Sequence, residues 1–224
     1  MHIVVCIDEF QQIGEWADSL TIQKRMRSVW QHQQHTSYCL FGSKKHLLAN
    51  LFQNRRMPFY HFGDTIYLKP ISTNDWIPFI CGKFAEKGKK ISEELVGKIC
   101  TTVASHSSYV QQLAWNIMVN TETEVTDEIF QQSISELLAQ CSPLFIQQIQ
   151  GLTTYQMNLI RCLCQGVRKD FTSKDVLETY QLGSKSNISR LKKTLVEKEI
   201  IEEEGDTITL ADPIFELWFK REYM

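Results

Sequence analysis

With 224 residues, 43% of them apolar and 12 of them Phe, the chain can fill the cores of roughly one to three domains. Its net charge is −2, split as 8 Lys/Arg against 5 Asp/Glu over residues 1–72, 5 against 9 over 73–150 and 11 against 12 over 151–224. No segment is therefore basic enough to read as a nucleic-acid binder on charge alone. No run of about 18 apolar residues occurs, so no membrane span is expected, and the apolar start is too short for a secretory leader before it meets Asp8 and Glu9.

Ile3–Ile7 is a short unbroken apolar run, the composition of a strand buried on both faces in the middle of a parallel sheet. It ends in two adjacent carboxylates, Asp8 and Glu9. Ligands of open α/β sheets sit just beyond the carboxyl ends of the strands, so chemistry is expected here; Asp8 as a helix cap is the plain structural alternative. Residues 10–34 read as a helix, with Ile13, Trp16, Leu20, Ile22, Met26, Val29 and Trp30 toward one face and a break near Thr21. A second apolar strand from Thr36 ends in Gly42-Ser43, and a helical run covers Lys44 to Phe52. Strand, helix, strand, helix is an α/β layout with parallel strands. Ser43 is either a side chain that senses phosphate or water, with Gly42 allowing close approach, or a helix cap. Thr65–Ile71 alternates and closes on Pro70, as an edge strand does.

Residues 3–9, IVVCIDE, resemble a Walker B motif. That resemblance implies that Asp8 helps to hold Mg²⁺ through water and that Glu9 polarises the water attacking a γ-phosphate. Together with CLFGS at 39–43, PFYHFGDTIYLKPIS at 58–72, SHSSYVQQLA at 105–114 and DPIFELWFKR at 212–221, it resembles the back half of the archaeal-type ATPase family, AAA+-like P-loop ATPases of the STAND-like group. The likeness implies nucleotide-sensing positions at Ser43, His61 and His106. At His61 the family often has Arg, so a fixed positive charge is lost there and a structural part is the competing reading. No G-x-x-x-x-G-K-[ST] occurs; Gly42-Ser43-Lys44 and Gly183-Ser184-Lys185 lack the upstream Gly. Without that loop there is no phosphate cradle. The resemblance thus implies a piece lacking the first strands, with ATP and Mg²⁺ as the cofactors of the full-length family and none expected on this chain.

The middle of the chain reads as short amphipathic helices forming a lid. A cap cluster at Ser72–Asp75 precedes the stretch 76–84, Ser92 opens the next helix, and further helices cover residues 109–119 and 128–140. The resemblance makes Tyr109, beside His106, a second candidate to face nucleotide; ordinary packing is the competing reading. Lys83, Lys87, Lys89 and Lys90 form a small basic patch, read as a solvated helix end. Ser142-Pro143 and Gly151 mark a boundary. Beyond it, helices from Leu152, from Phe171 and from Ser184 or Ser186 precede a hairpin of Ile200-Ile201 and Thr207–Leu210 around Glu-Gly-Asp. This resembles a winged helix-turn-helix, whose third helix enters the major groove and here carries Lys185, Asn187, Arg190, Lys192 and Lys193. Glu202, Glu203, Glu204 and Asp206 in the wing oppose a duplex. The seven Cys are scattered; those at 6, 39, 81, 100 and 162 lie in apolar segments and are expected as buried, reduced thiols of a cytoplasmic protein. Cys162-Leu-Cys164 has no second pair or His nearby, so no metal site is expected there.

The expected architecture is mainly α with a partial parallel α/β sheet: a truncated P-loop ATPase core over 1–72, a helical lid over 73–150 and a winged helix over 151–224. The expected function is a nucleotide-linked regulatory switch, inactive alone, with a protein partner and self-association through the uncovered first strand. The alternative is a winged-helix DNA-binding regulator or a pure protein-interaction module.

Overall fold

The computed structural model describes residues 2–224, with all side chains except those of Lys45 and His46. The chain is mainly helical with a small parallel sheet and divides into two compact units, residues 1–69 and 70–224.

In the first unit, β1 (Ile3–Ile7) and β2 (Thr36–Leu40) pair in parallel, Ile3 with Thr36 through Ile7 with Leu40. A 3₁₀ helix (Phe10–Glu15), α1 (Ser19–Trp30) and α2 (Lys45–Gln53) complete it. The helical stretch expected after Glu9, with a break near Thr21, is broken a few residues earlier, at residues 16–18, before α1 begins. The core gathers Phe10, Ile13, Leu51 and Phe59, with Ile7, Met26, Trp30 and Leu40 packed around them. Trp30 stacks on Tyr38 at 4.0 Å between ring centroids. Arg27 ties the far end down. Its guanidinium donates to the carbonyls of Pro58 and Tyr60 and lies 5.5 Å over the Phe62 ring.

Further expectations fail in this unit, the burial of the Cys6 and Cys39 thiols among them, since both are exposed. β1 is not buried on both faces: Val4 is 62% exposed and Cys6 is exposed. Alternate residues of β1 and β2 pack inward, and the other face, with Val4, Cys6, Ser37 and Cys39, is open. Nor is Thr65–Ile71 a strand. Among the described residues β2 pairs with β1 alone, and Ile66 and Leu68 are 82% and 85% exposed; an alternating segment with no partner ladder has nothing to hold it as a strand.

In the second unit, Ser72 caps α3 (Thr73–Glu86) by accepting the Asp75 N–H, and Ser92 caps α4 (Glu93–Thr102) by accepting that of Leu95. α5 (Ser107–Asn120) and α6 (Asp127–Ile149) follow. The helix expected to stop near Gln140 runs on through Pro143. Proline there removes one backbone donor, but the next turn is anchored. Phe145 is buried 5.4 Å from both Phe215 and Trp218, and the Trp218 indole donates to Ser142 Oγ at 3.0 Å.

α7 (Thr154–Cys164) opens on a capping box of Thr153 and Gln156, α8 (Lys174–Thr179) is capped by Ser173, and α9 (Lys185–Glu197) leads to the hairpin β3 (Ile201–Glu204) and β4 (Thr207–Leu210). Gly205, at φ 60, supplies the positive φ that the two-residue turn needs. α10 (Pro213–Tyr223) closes the unit. One hydrophobic cluster runs from Trp76 of α3 to Phe219 of α10, so helices α3–α6 and the winged helix share a core.

Candidate functional site

The carboxyl end of β1 turns sharply at Glu9, which adopts a left-handed conformation at φ 49, ψ 38. That conformation is costly for a residue with a Cβ and collects at functional positions. The backbone around it is stitched to the end of β2: Phe41 N–H donates to Ile7 O at 3.1 Å and Phe10 N–H to Phe41 O at 3.0 Å. Ser43 Oγ then reaches the Glu9 carboxylate, 3.3 Å from Oε1 and 3.4 Å from Oε2. Gln11 Nε2 also donates to Glu9 Oε2.

Gly42 makes this packing possible. A Cβ there would stand 1.8 Å from Gln11 Oε1, and Gln11 is buried. Gln11 Oε1 itself is a buried acceptor with no partner among the described residues. Asp8 is exposed, and its Oδ1 accepts the Glu9 N–H at 2.8 Å. It does not cap the 3₁₀ helix, whose start carries no side-chain cap bond, and Ser43 does not cap α2. Both side chains are turned to the Glu9 turn instead.

The carboxylate oxygens of Asp8 and Glu9 are the hard donors that Mg²⁺ takes, and that ion keeps several waters and binds through one or two carboxylates plus substrate phosphates. These residues fit that half of such a site. The phosphate-holding half has no counterpart in the sequence of the chain.

The other positions are placed as follows. His61, at φ 52, is exposed; its N–H donates to Phe52 O at 3.1 Å and its ring stands edge-on to Tyr60 at 4.2 Å. Its side chain makes no hydrogen bond to Asp8, Glu9 or Ser43 among the described residues. His106 belongs to the second unit, exposed at the start of α5 with its ring 4.8 Å from Tyr109. The Tyr109 hydroxyl donates to Asp212 Oδ2 at 2.5 Å, while Asp212 Oδ1 accepts the N–H groups of Ile214 and Phe215 at the head of α10. Burial and then the Asp212 carboxylate push the Tyr109 phenol well above its ordinary range.

On α9, Lys185, Arg190 and Lys193 are exposed, Arg190 donating to Asn187 Oδ1 at 3.0 Å and Lys193 standing 3.8 Å from Glu197. Asn187 is turned inward, its Nδ2 donating to Leu182 O at 3.2 Å. Lys192 leans over the Phe171 ring at 5.2 Å and stands 3.9 Å from Glu203 of the wing. In the basic patch, Lys83 pairs with Glu86 at 2.9 Å and Lys89 donates to Met118 O at 2.7 Å.

Gln11 and Gly42 escape the sequence reading as a pair. Their relation depends on the tight turn at Glu9, which no local pattern encodes.

The fold resembles those of solved ATPases and ends in a winged helix. Residues 143–221 match a family described as a probable winged helix domain. The Walker-type ATPase PABY2304 of Pyrococcus abyssi aligns with a TM-score of 0.72 and 16% identity, over 98% of this chain and 63% of that one. The ORC1 protein of Aeropyrum pernix, solved in complex with DNA, aligns at 0.50 and 15%, over 98% of this chain and 64% of that one. The chain therefore spans less than two thirds of either, and identities this low carry the fold alone. No curated protein sequence matches it. No helix among the described residues is long and apolar enough to cross a membrane.

Proposed function

We propose that this chain supplies the Walker B, lid and winged-helix parts of a STAND/AAA+-like ATP-linked regulatory switch and does not bind ATP tightly by itself. The observation that carries the reading is the Glu9 carboxylate, fixed between Ser43 from the neighbouring strand end and Gln11, beside an exposed Asp8. In this reading Asp8 holds Mg²⁺ through water, and Mg²⁺ when bound neutralises phosphate charge. Glu9 orients and polarises the attacking water, and Ser43 holds Glu9 in place. His61 and His106 keep a sensing role as part of the proposal. The test joins the chain to a P-loop-bearing segment. Glu9→Gln in that protein is expected to keep ATP binding and to lower turnover by about 10²-fold or more, because the base is lost; unchanged turnover would reject the role.

The winged helix contacts protein in this reading. The alternative, DNA binding, draws on the ORC1 neighbour and on the exposed cations of α9. Of the five candidate DNA contacts, Asn187 is turned inward and Lys192 packs over Phe171; Lys185, Arg190 and Lys193 are exposed, though Arg190 is bonded to Asn187 and Lys193 stands beside Glu197, and Glu202, Glu203, Glu204 and Asp206 of the wing are exposed too. About three phosphate contacts give a log–log salt slope of roughly −3. Fluorescence titration of the whole chain with duplex DNA is expected to show weak or no binding at physiological salt. Submicromolar binding there, lost in Lys185→Glu/Arg190→Glu, would promote the DNA-binding reading.

A further inference from the structure

Cys6 and Cys39 are register partners on the adjacent parallel strands β1 and β2. Register partners share a face, and both thiols lie on the open face of the sheet, exposed and free. Neighbouring strands run about 4.8 Å apart, so the two side chains leave the sheet as close neighbours on one face. A disulfide needs Cβ atoms about 3.5–4.5 Å apart, closer than two parallel side chains on such strands hold them. A soft metal with bonds of about 2.3 Å to sulfur spans two sulfurs up to about 4.6 Å apart, a reach that suits two side chains on strands spaced this way.

Thiolate pairs select soft cations such as Cu(I) and Zn²⁺. Zn²⁺ asks for four ligands in a structural site, and no group of three or more His, Cys, Asp or Glu among the described residues is placed to hold a metal. Cu(I) is satisfied by two sulfurs. His2, on the same side of the strand, is engaged with Ser37 Oγ at 2.9 Å. The remaining thiols are partly or fully buried, and burial raises those of Cys162 and Cys164 to about 12. The accessible dithiol is therefore confined to one place.

We propose that Cys6 and Cys39 form a two-thiolate site for Cu(I) on the open face of the β1–β2 sheet. The test is an anaerobic titration of the reduced whole chain with Cu(I) against a bicinchoninate competitor, with sedimentation on the same samples. One Cu(I) per chain is expected. Cys6→Ser and Cys39→Ser should each weaken binding by more than about a hundredfold, since losing even an outer-shell partner costs 10–100-fold. His2→Ala and Cys162→Ser/Cys164→Ser should leave it unchanged. Circular dichroism of each variant confirms that the fold is kept. Equal binding by the Cys6→Ser/Cys39→Ser double variant, no binding by the native chain, or one copper shared between two chains would each overturn the proposal.

Discussion

Gly42 is the residue on which the geometry around Glu9 turns. Gly42→Ala would drive a methyl into Gln11 Oε1, the far end of a flexible side chain that is nonetheless buried. The Gln11 amide must then leave its place and release Glu9. Destabilisation of about 1–3 kcal/mol is expected, the usual cost of overpacking. Combining it with Gln11→Ala should recover most of that loss in a double-mutant cycle by urea unfolding; additive losses would place the clash elsewhere. Asp8, Glu9 and Ser43 were legible in the sequence because a carboxylate pair and a Gly-Ser each follow an apolar strand. Gln11 was not: its bond to Glu9 exists only through the left-handed turn at Glu9. The Tyr109–Asp212 bond was equally hidden, since it joins residues 103 positions apart.

Among the elements, α7 carries a pH signature. Burial raises the Cys162 and Cys164 thiols from an ordinary 9.0 to about 12. The folded state thus keeps protons that the unfolded chain gives up above 9. The stability from this source is complete below pH 9 and is lost as pH climbs from 9 through 12, at most about 1.4 kcal/mol per pH unit for each thiol. The raised Tyr109 phenol acts in the same direction. Urea midpoints should therefore fall between pH 8 and 11, and Cys162→Ala/Cys164→Ala should flatten the fall; an unchanged profile in that variant would contradict the assignment. Helix and hairpin positions in this part of the chain follow their caps and periodicity closely, from Ser173 ahead of α8 to Gly205 in the wing. The misreadings come where packing outweighs a local signal. Pro143 reads as a stop, yet Phe145 and Trp218 hold the helix together across it. Thr65–Ile71 reads as a strand, yet a strand needs a partner that no periodicity can show.

At the scale of the whole molecule, the two units differ in what they bury. Residues 70–224 share one continuous core. Residues 1–69 pack a small aromatic core under one face of a two-stranded sheet and leave the other face open. The α/β start, the helical middle and the winged helix were legible from periodicity and motif order; the shared core of the last two was not, because it arises from α6 running past Ser142-Pro143. The proposed function gives this chain the water-activating carboxylate of a nucleotide site without a phosphate cradle. Calorimetric titration of the chain with ATP·Mg²⁺ tests it most directly. No binding in the micromolar range is expected, with or without the Glu9→Gln substitution. Micromolar affinity of the chain for ATP·Mg²⁺ would contradict it.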